Sequence, residues 1–199
     1  HVGDPVPRPN RRVGPVEDRG PGAPLVGNRA LRAFADRVDA LAEGAVTDEG
    51  RPRAAVLDWT DPPIRAGHWV PDMVEAAGGD PSFQPDGPSE PVAWADVREL
   101  DPEALVVAPC GFDRDRAVDA VGDLAERSGF DDLRAVAADR AYAVDGNGLF
   151  NRPSHRLVDS LESLFAGVHP DHAPTTPAEH DRIARVAAAA TPSVRADHG

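Results

Sequence analysis

The residues best suited to chemistry here are rings and polar groups that follow short apolar runs. Trp59, Asp61, His68 and Trp69 come after Ala54-Ala55-Val56-Leu57. Phe112 comes after Ala104-Leu105-Val106-Val107-Ala108, and Asn147, Phe150 and Arg152 come after Ala141-Tyr142-Ala143-Val144. Trp59, Trp69, Phe112 and Phe150 would offer flat apolar surface, with Asp61, His68, Asn147 and Arg152 as polar handles. Such a cleft suits a large flat ligand with a polar fringe. For Trp69 and Phe150 the competing reading is core packing beneath the loops.

Patterns for turnover are poorer. There is no GxSxG, no P-loop and no GxGxxG. Cys110 beside His68 invites a nucleophile and base, but a lone buried cysteine at a strand end more often packs inertly. His68 as a metal ligand lacks company, since His155, His169, His172 and His180 fall in helix and tail positions without ligand spacing. Asp58 and Asp61 are either paired carboxylates or loop acids capping the next turn. One cysteine leaves no internal disulfide and no CxxC. These residues point to binding rather than catalysis.

The elements that must hold these positions follow from the pattern. An apolar run without polar alternation is a strand buried on both faces, which gives strands at Ala54–Leu57, Ala104–Ala108 and Ala141–Val144. The first ends at Asp58, and Pro62-Pro63 stiffen the loop after it. Gly67 permits a tight entry to a helix with Val70, Met73, Val74 and Ala77 inward, stopped by Gly78-Gly79. Val92-Ala93-Trp94 reads as a short strand or an extended approach to a helix over Asp96–Leu100. Asp113 caps a helix with the stripe Ala117, Val118, Val121, Leu124 and Ala125. A last helix carries Leu157, Val158, Leu161, Leu164 and Phe165. Strands alternating with helices predict an α/β fold: a Rossmann-like, mainly parallel sheet flanked by helices. In an open sheet of that kind, ligands sit at the carboxyl ends of the strands.

The flanks differ in character. Residues 1–28 are rich in Pro, Gly and Arg and read as irregular or disordered. Leu31, Phe34, Val38 and Leu41 recur at helical spacing and place a long amphipathic helix over 29–47. Residues 52–170 form the α/β unit. Residues 171–199 read as a polar tail with a weak helix at Ala178–Ala190.

The chain has 199 residues, with 34 acidic against 21 basic ones, every basic one an Arg. A formal charge of −13 argues against a nucleic-acid partner, whose phosphates it would repel. An acidic surface without Lys is also what a salt-adapted or GC-rich genome writes, so the charge need not be functional. No apolar run approaches a membrane span. The chain opens on His1 with no basic-then-apolar leader, and is expected to be a piece of a longer chain or one whose leader was removed.

Three blocks in this order carry a resemblance: VLDWTDPPIRAGHWVPDMVEAAGG, PVAWADVRELDPEALVVAPCGF and AYAVDGNGLFNRPSHRLVDSLESLFAGVHP. Over about Leu31–Pro170 the chain resembles the C-terminal lobe of a cobalamin-binding solute-binding protein of an ABC importer. The resemblance implies one lobe of a two-lobed clamp joined by a long backbone helix, matched by 29–47, with a corrinoid held between the lobes. It implies a cleft wall drawn from Trp59, Asp61, Pro63, His68, Trp69, Trp94, Phe112, Asn147, Phe150 and Arg152. Glu75 matches the acid that docks onto the importer's membrane subunit, where its bland alternative is a solvated helix acid. No catalytic cofactor and an extracytoplasmic location are implied as well. The family's N-terminal lobe has no counterpart before the backbone helix, so the chain is expected to be a fragment, a truncated product or a lobe completed by another polypeptide. A ferric siderophore or haem is the runner-up ligand. A chelatase-like enzyme using His68 on a metal, and a remnant that binds nothing, are the readings from other classes.

Overall fold

The computed structural model describes residues 50–151, 157–170 and 181–186, together with Asp36, which is helical and exposed. The rest of the expected backbone helix lies outside the described residues, as does Arg152.

Three strands form the centre of a six-stranded sheet. β1 (Ala54–Thr60) lies parallel to β4 (Ala104–Val107), with Ala54 opposite Ala104 and Leu57 opposite Val107. β4 lies parallel to β5 (Ala141–Val144), with Leu105 opposite Ala141. These are the three apolar runs, and their uniform burial has the expected cause: helices cover both faces. Alternate side chains divide between two cores. Ala54, Val56, Val106, Tyr142 and Val144 meet α1 (Val70–Ala76) and α5 (Leu157–Val168) on one face. Ala55, Leu57, Leu105, Val107 and Ala143 meet α2 (Trp94–Leu100), α3 (Arg114–Ala125) and α4 (Arg134–Ala137) on the other.

Antiparallel strands finish both edges, giving the order β3-β2-β1-β4-β5-β6. β1 does not stop at Asp58 but runs on to Thr60. A register shift at Leu57/Trp59 and a turn with a cis Asp61–Pro62 bond then fold the chain back into β2 (Pro63–Arg65). The expected stiff loop is therefore a hairpin. Trp59, Thr60 and Ile64 favour extended backbone, and Pro63 is tolerated as the first residue of its strand. Above the hairpin, where β2 no longer flanks β1, the buried Gln84 side chain takes the place of a strand. Its Oε1 accepts from Val56 N at 3.3 Å and its Nε2 donates to Val56 O at 2.9 Å. β3 is Glu90–Pro91, paired to β2, so the strand falls just before Val92 and the helix already begins at Trp94.

At the far edge β6 (Ile183–Arg185) lies antiparallel to β5. This corrects the weak helix placed at Ala178–Ala190: where that stretch is described, it is a strand. Ile183 is buried in the core, and the pairing covers a sheet edge that would otherwise present free backbone groups. The cap at the start of α3 is as the sequence indicates, with Asp113 Oδ1 accepting from Arg116 N at 3.0 Å. Its inward stripe is Ala117, Ala120, Val121 and Leu124, while Val118 faces out with 42% exposure. Among the described residues no helix is long and apolar enough to cross a membrane.

Candidate functional site

Parallel strands deliver their following loops to one edge, and here the loops are tied to each other. Cys110 N donates to Asp58 O at 3.2 Å, Asn147 N to Phe112 O at 3.4 Å, and Trp69 Nε1 to Phe150 O at 3.0 Å. The rim is thus continuous across β1, β4 and β5, and four of the expected site residues are linked through it.

On this rim two of the expected rings meet. Trp59 stands edge-on to Phe112, with centroids 5.1 Å apart and planes at 62°. Both are partly exposed. The Arg116 guanidinium lies over the Phe112 ring, 4.1 Å from its centroid. Beside them the β1–β2 hairpin and α3 enclose an open groove of about 440 Å³, lined by Trp59, Thr60, Asp61, Phe112, Arg116, Asp119, Ala120 and Asp123. Arg116, Asp119 and Asp123 recur at the spacing that shares one helix face. At the hairpin tip Arg127 Nη2 donates to Asp61 Oδ1 at 2.8 Å, while Trp59 Nε1 donates to Asp61 O at 3.1 Å. Arg116, Asp119, Asp123 and Arg127 were missed from sequence because their spacing reads as an ordinary solvated helix face. Only the folded-back hairpin turns that face into a wall.

Other expected residues sit differently. Phe150 is 1% exposed and packs in the core, so its ring is not part of the wall. It occupies the place of its competing reading, and only its carbonyl reaches the rim through Trp69. Pro63 is buried in β2. Trp94 stacks on Phe130 with centroids 6.3 Å apart and donates to Ser128 O at 3.1 Å, which places it with the core beneath α2. Cys110 is exposed, not the buried thiol expected at a strand end. Asn147 is exposed on the rim. Among the described residues no three His, Cys, Asp or Glu side chains are grouped to hold a metal.

His68 is exposed with a left-handed backbone (φ 58°), and its N–H donates to Gly87 O at 2.7 Å. The same loop grips Gly67, whose N–H donates to Ser89 Oγ at 3.0 Å; an added Cβ there would lie 2.3 Å from Gly87 O. Ser89 Oγ in turn donates to Asp58 Oδ2. Burial pushes the Asp58 carboxyl above the ordinary aspartate range, and the Ser89 hydroxyl and nearby His68 pull it partly back. Asp58 and Asp61 are not a carboxylate pair: each has its own partner, Ser89 and Arg127. Glu75, exposed on α1, pairs with Arg51 at 3.2 Å.

No family model and no curated protein matches the chain. Solved structures do. A TroA-like periplasmic binding protein, FepB from Veillonella parvula, superposes with a TM-score of 0.63 at 14% identity, over 80% of this chain and 56% of that one. An ABC-type Fe3+-hydroxamate transport protein from Saccharomonospora viridis gives 0.54 at 28% identity, over 71% and 49%. The periplasmic vitamin B12 binding protein BtuF of Vibrio cholerae gives 0.55 at 21%, over 73% and 54%. The class of fold is thereby defined: a mixed, mostly parallel sheet flanked by helices, as in periplasmic binding proteins. The chain spans about half the length of the structures it matches.

Proposed function

We propose that this chain supplies one wall of the ligand cleft of an extracytoplasmic, non-enzymatic solute-binding component of an ABC importer, with cobalamin or a related corrinoid as ligand. The observation that carries the reading is the Trp59–Phe112 pair on the strand-end rim, partly exposed beside an open groove. Two rings at a carboxyl edge provide apolar contact for a macrocycle, and Asp61 in the same groove, Asn147, whose N–H donates to Phe112 O, and the exposed His68 are assigned as its polar contacts. A second lobe, from elsewhere in a longer chain or from another polypeptide, completes the clamp. Glu75 is the docking acid for the membrane subunit, and an exposed ion pair such as Glu75–Arg51 exchanges partners at little cost.

A ferric hydroxamate is the second reading, favoured by the 28% identity to the Saccharomonospora viridis protein. Equilibrium dialysis of the chain against cyanocobalamin, ferrioxamine B and hemin in parallel separates the two. Saturable retention of cyanocobalamin that weakens on Phe112→Ala supports the corrinoid reading. Retention of ferrioxamine B alone transfers the assignment to the siderophore, and retention of none of the three, with or without a supplied second lobe, overturns the binding reading.

A further inference from the structure

We infer that the ligand of this groove carries a neutral carboxamide fringe, read by Arg116, Asp119 and Asp123, an inference that rests on the binding reading above and narrows it. The three side chains line the groove from one face of α3. Arg116 is held over Phe112 at 4.1 Å and has no ion-pair partner among the described residues. A guanidinium only donates hydrogen bonds. Asp119 and Asp123 are exposed carboxylates, which only accept, and neither has an ion-pair partner among the described residues. The cation nearest in sequence to their end of the helix, Arg127, is taken by Asp61.

The wall therefore offers one donor-only group followed by two acceptor-only groups. A fringe of carboxylates would satisfy Arg116 and then meet two like charges. A fringe of ammonium groups would satisfy the acids and meet Arg116. A ferric hydroxamate turns its hydroxamate oxygens toward the metal, but one with backbone amides, such as ferrioxamine B, still presents carbonyls and N–H groups, so this wall separates a corrinoid from haem and not from that siderophore. A primary carboxamide has both functions, a carbonyl for Arg116 and an NH2 for either acid, and brings no charge. Among flat macrocycles this selects an amide-bearing corrinoid over a carboxylate-bearing haem.

The test compares two corrinoids with the same ring, dicyanocobinamide with its amide fringe and dicyanocobyrinic acid with carboxylates in their place. Each is dialysed against the full chain at neutral pH and fixed low ionic strength. Cobinamide is expected to bind at least about tenfold more tightly. In the double variant Asp119→Asn, Asp123→Asn that preference shrinks to within about threefold, because the acid binds better. The thermal midpoint of the variant, read in the same samples, is expected to match the parent, since both residues are exposed. Equal retention of the two corrinoids refutes the fringe inference and leaves corrinoid binding standing. A preference that the double variant leaves intact also refutes it, by removing these residues from the recognition. Retention of neither corrinoid, with or without a supplied second lobe, overturns both readings together.

Discussion

Arg127, just past the end of α3, holds Asp61 at the tip of the β1–β2 hairpin, with Nη2 2.8 Å from Oδ1 and 3.3 Å from Thr60 O. This contact sets how far the hairpin stands from the helix, and so how wide the groove is. Asp61 is largely exposed while Arg127 is mostly covered, so the pair adds at most about 1 kcal/mol to folding. Its role is placement. Arg127→Met, which keeps much of the side-chain bulk, is expected to lower stability by no more than about 1 kcal/mol in urea unfolding. Retention of corrinoid should fall several-fold at the same time. An unchanged affinity would mean that the hairpin keeps its position without this tie.

Asp58 gives the fold a pH dependence with a definite sign. Burial raises its carboxyl in the folded chain, so the folded state holds a proton that the unfolded state has already lost. The stability from this group is complete below the unfolded value of about 3.9 and is lost as pH rises through the higher folded value. Asp58→Asn keeps an oxygen for Ser89 and removes the charge. The variant is expected to be the more stable one at neutral pH, with the difference disappearing below about pH 4. Urea midpoints across that range check it, and a variant less stable at pH 7 would show that the Asp58 charge supports the loop.

Arg182 reaches from the residue before β6 to the Asp145 carboxylate, at 2.5 Å, and Asp145 Oδ1 also accepts from Gly148 N at 2.7 Å. Asp145 is buried, so removing the guanidinium leaves a carboxylate with one strong partner fewer in a covered site. Arg182→Met is expected to cost about 2 kcal/mol, less than for a fully buried pair because Arg182 is partly exposed. Hydrogen exchange should report the loss first at Val144 and Asp145, where β6 pairs and Arg182 O accepts from Asp145 N. Uniform destabilisation without that local signature would assign the cost elsewhere.

Much of the scaffold was legible because its cause is local. The runs Ala54–Leu57, Ala104–Val107 and Ala141–Val144 are strands because they are apolar on both sides, and Asp113 caps α3 because its side chain can. What escaped depends on distant partners. β1 continues through Asp58 and Trp59 because β2 folds back beside it, although Pro62 and Pro63 make the stretch read as a loop. Ile183-Ala184-Arg185 is too short, in too Ala-rich a setting, to read as a strand without β5 next to it. The site divided in the same way. Convergence of the strand-end loops follows from parallel strands, but a phenylalanine in a loop gives no sign of which way it points, and Phe112 and Phe150 went opposite ways.

That opposition separates binding from folding in one pair of substitutions. Phe150 is 1% exposed among Val106, Val144 and Leu164, so Phe150→Ala opens a cavity in a packed core. The cost expected for such a change is about 3–5 kcal/mol. Phe112 is partly exposed on the rim and touches Trp59 and Arg116 rather than the core. Phe112→Ala should cost about 1 kcal/mol or less in urea, since an aromatic pair at a wet edge contributes little more than that. Its effect should instead fall on the ligand, because the Trp59 face loses its neighbour and Arg116 loses the ring that holds it in place. Retention of corrinoid is expected to drop about tenfold or more with Phe112→Ala. The folded fraction of Phe150→Ala, corrected for unfolding, should bind almost as the parent does. If Phe112→Ala unfolds the chain and leaves binding per folded molecule intact, Phe112 is a structural residue and the rim between Trp59 and Arg116 is not where the ligand rests.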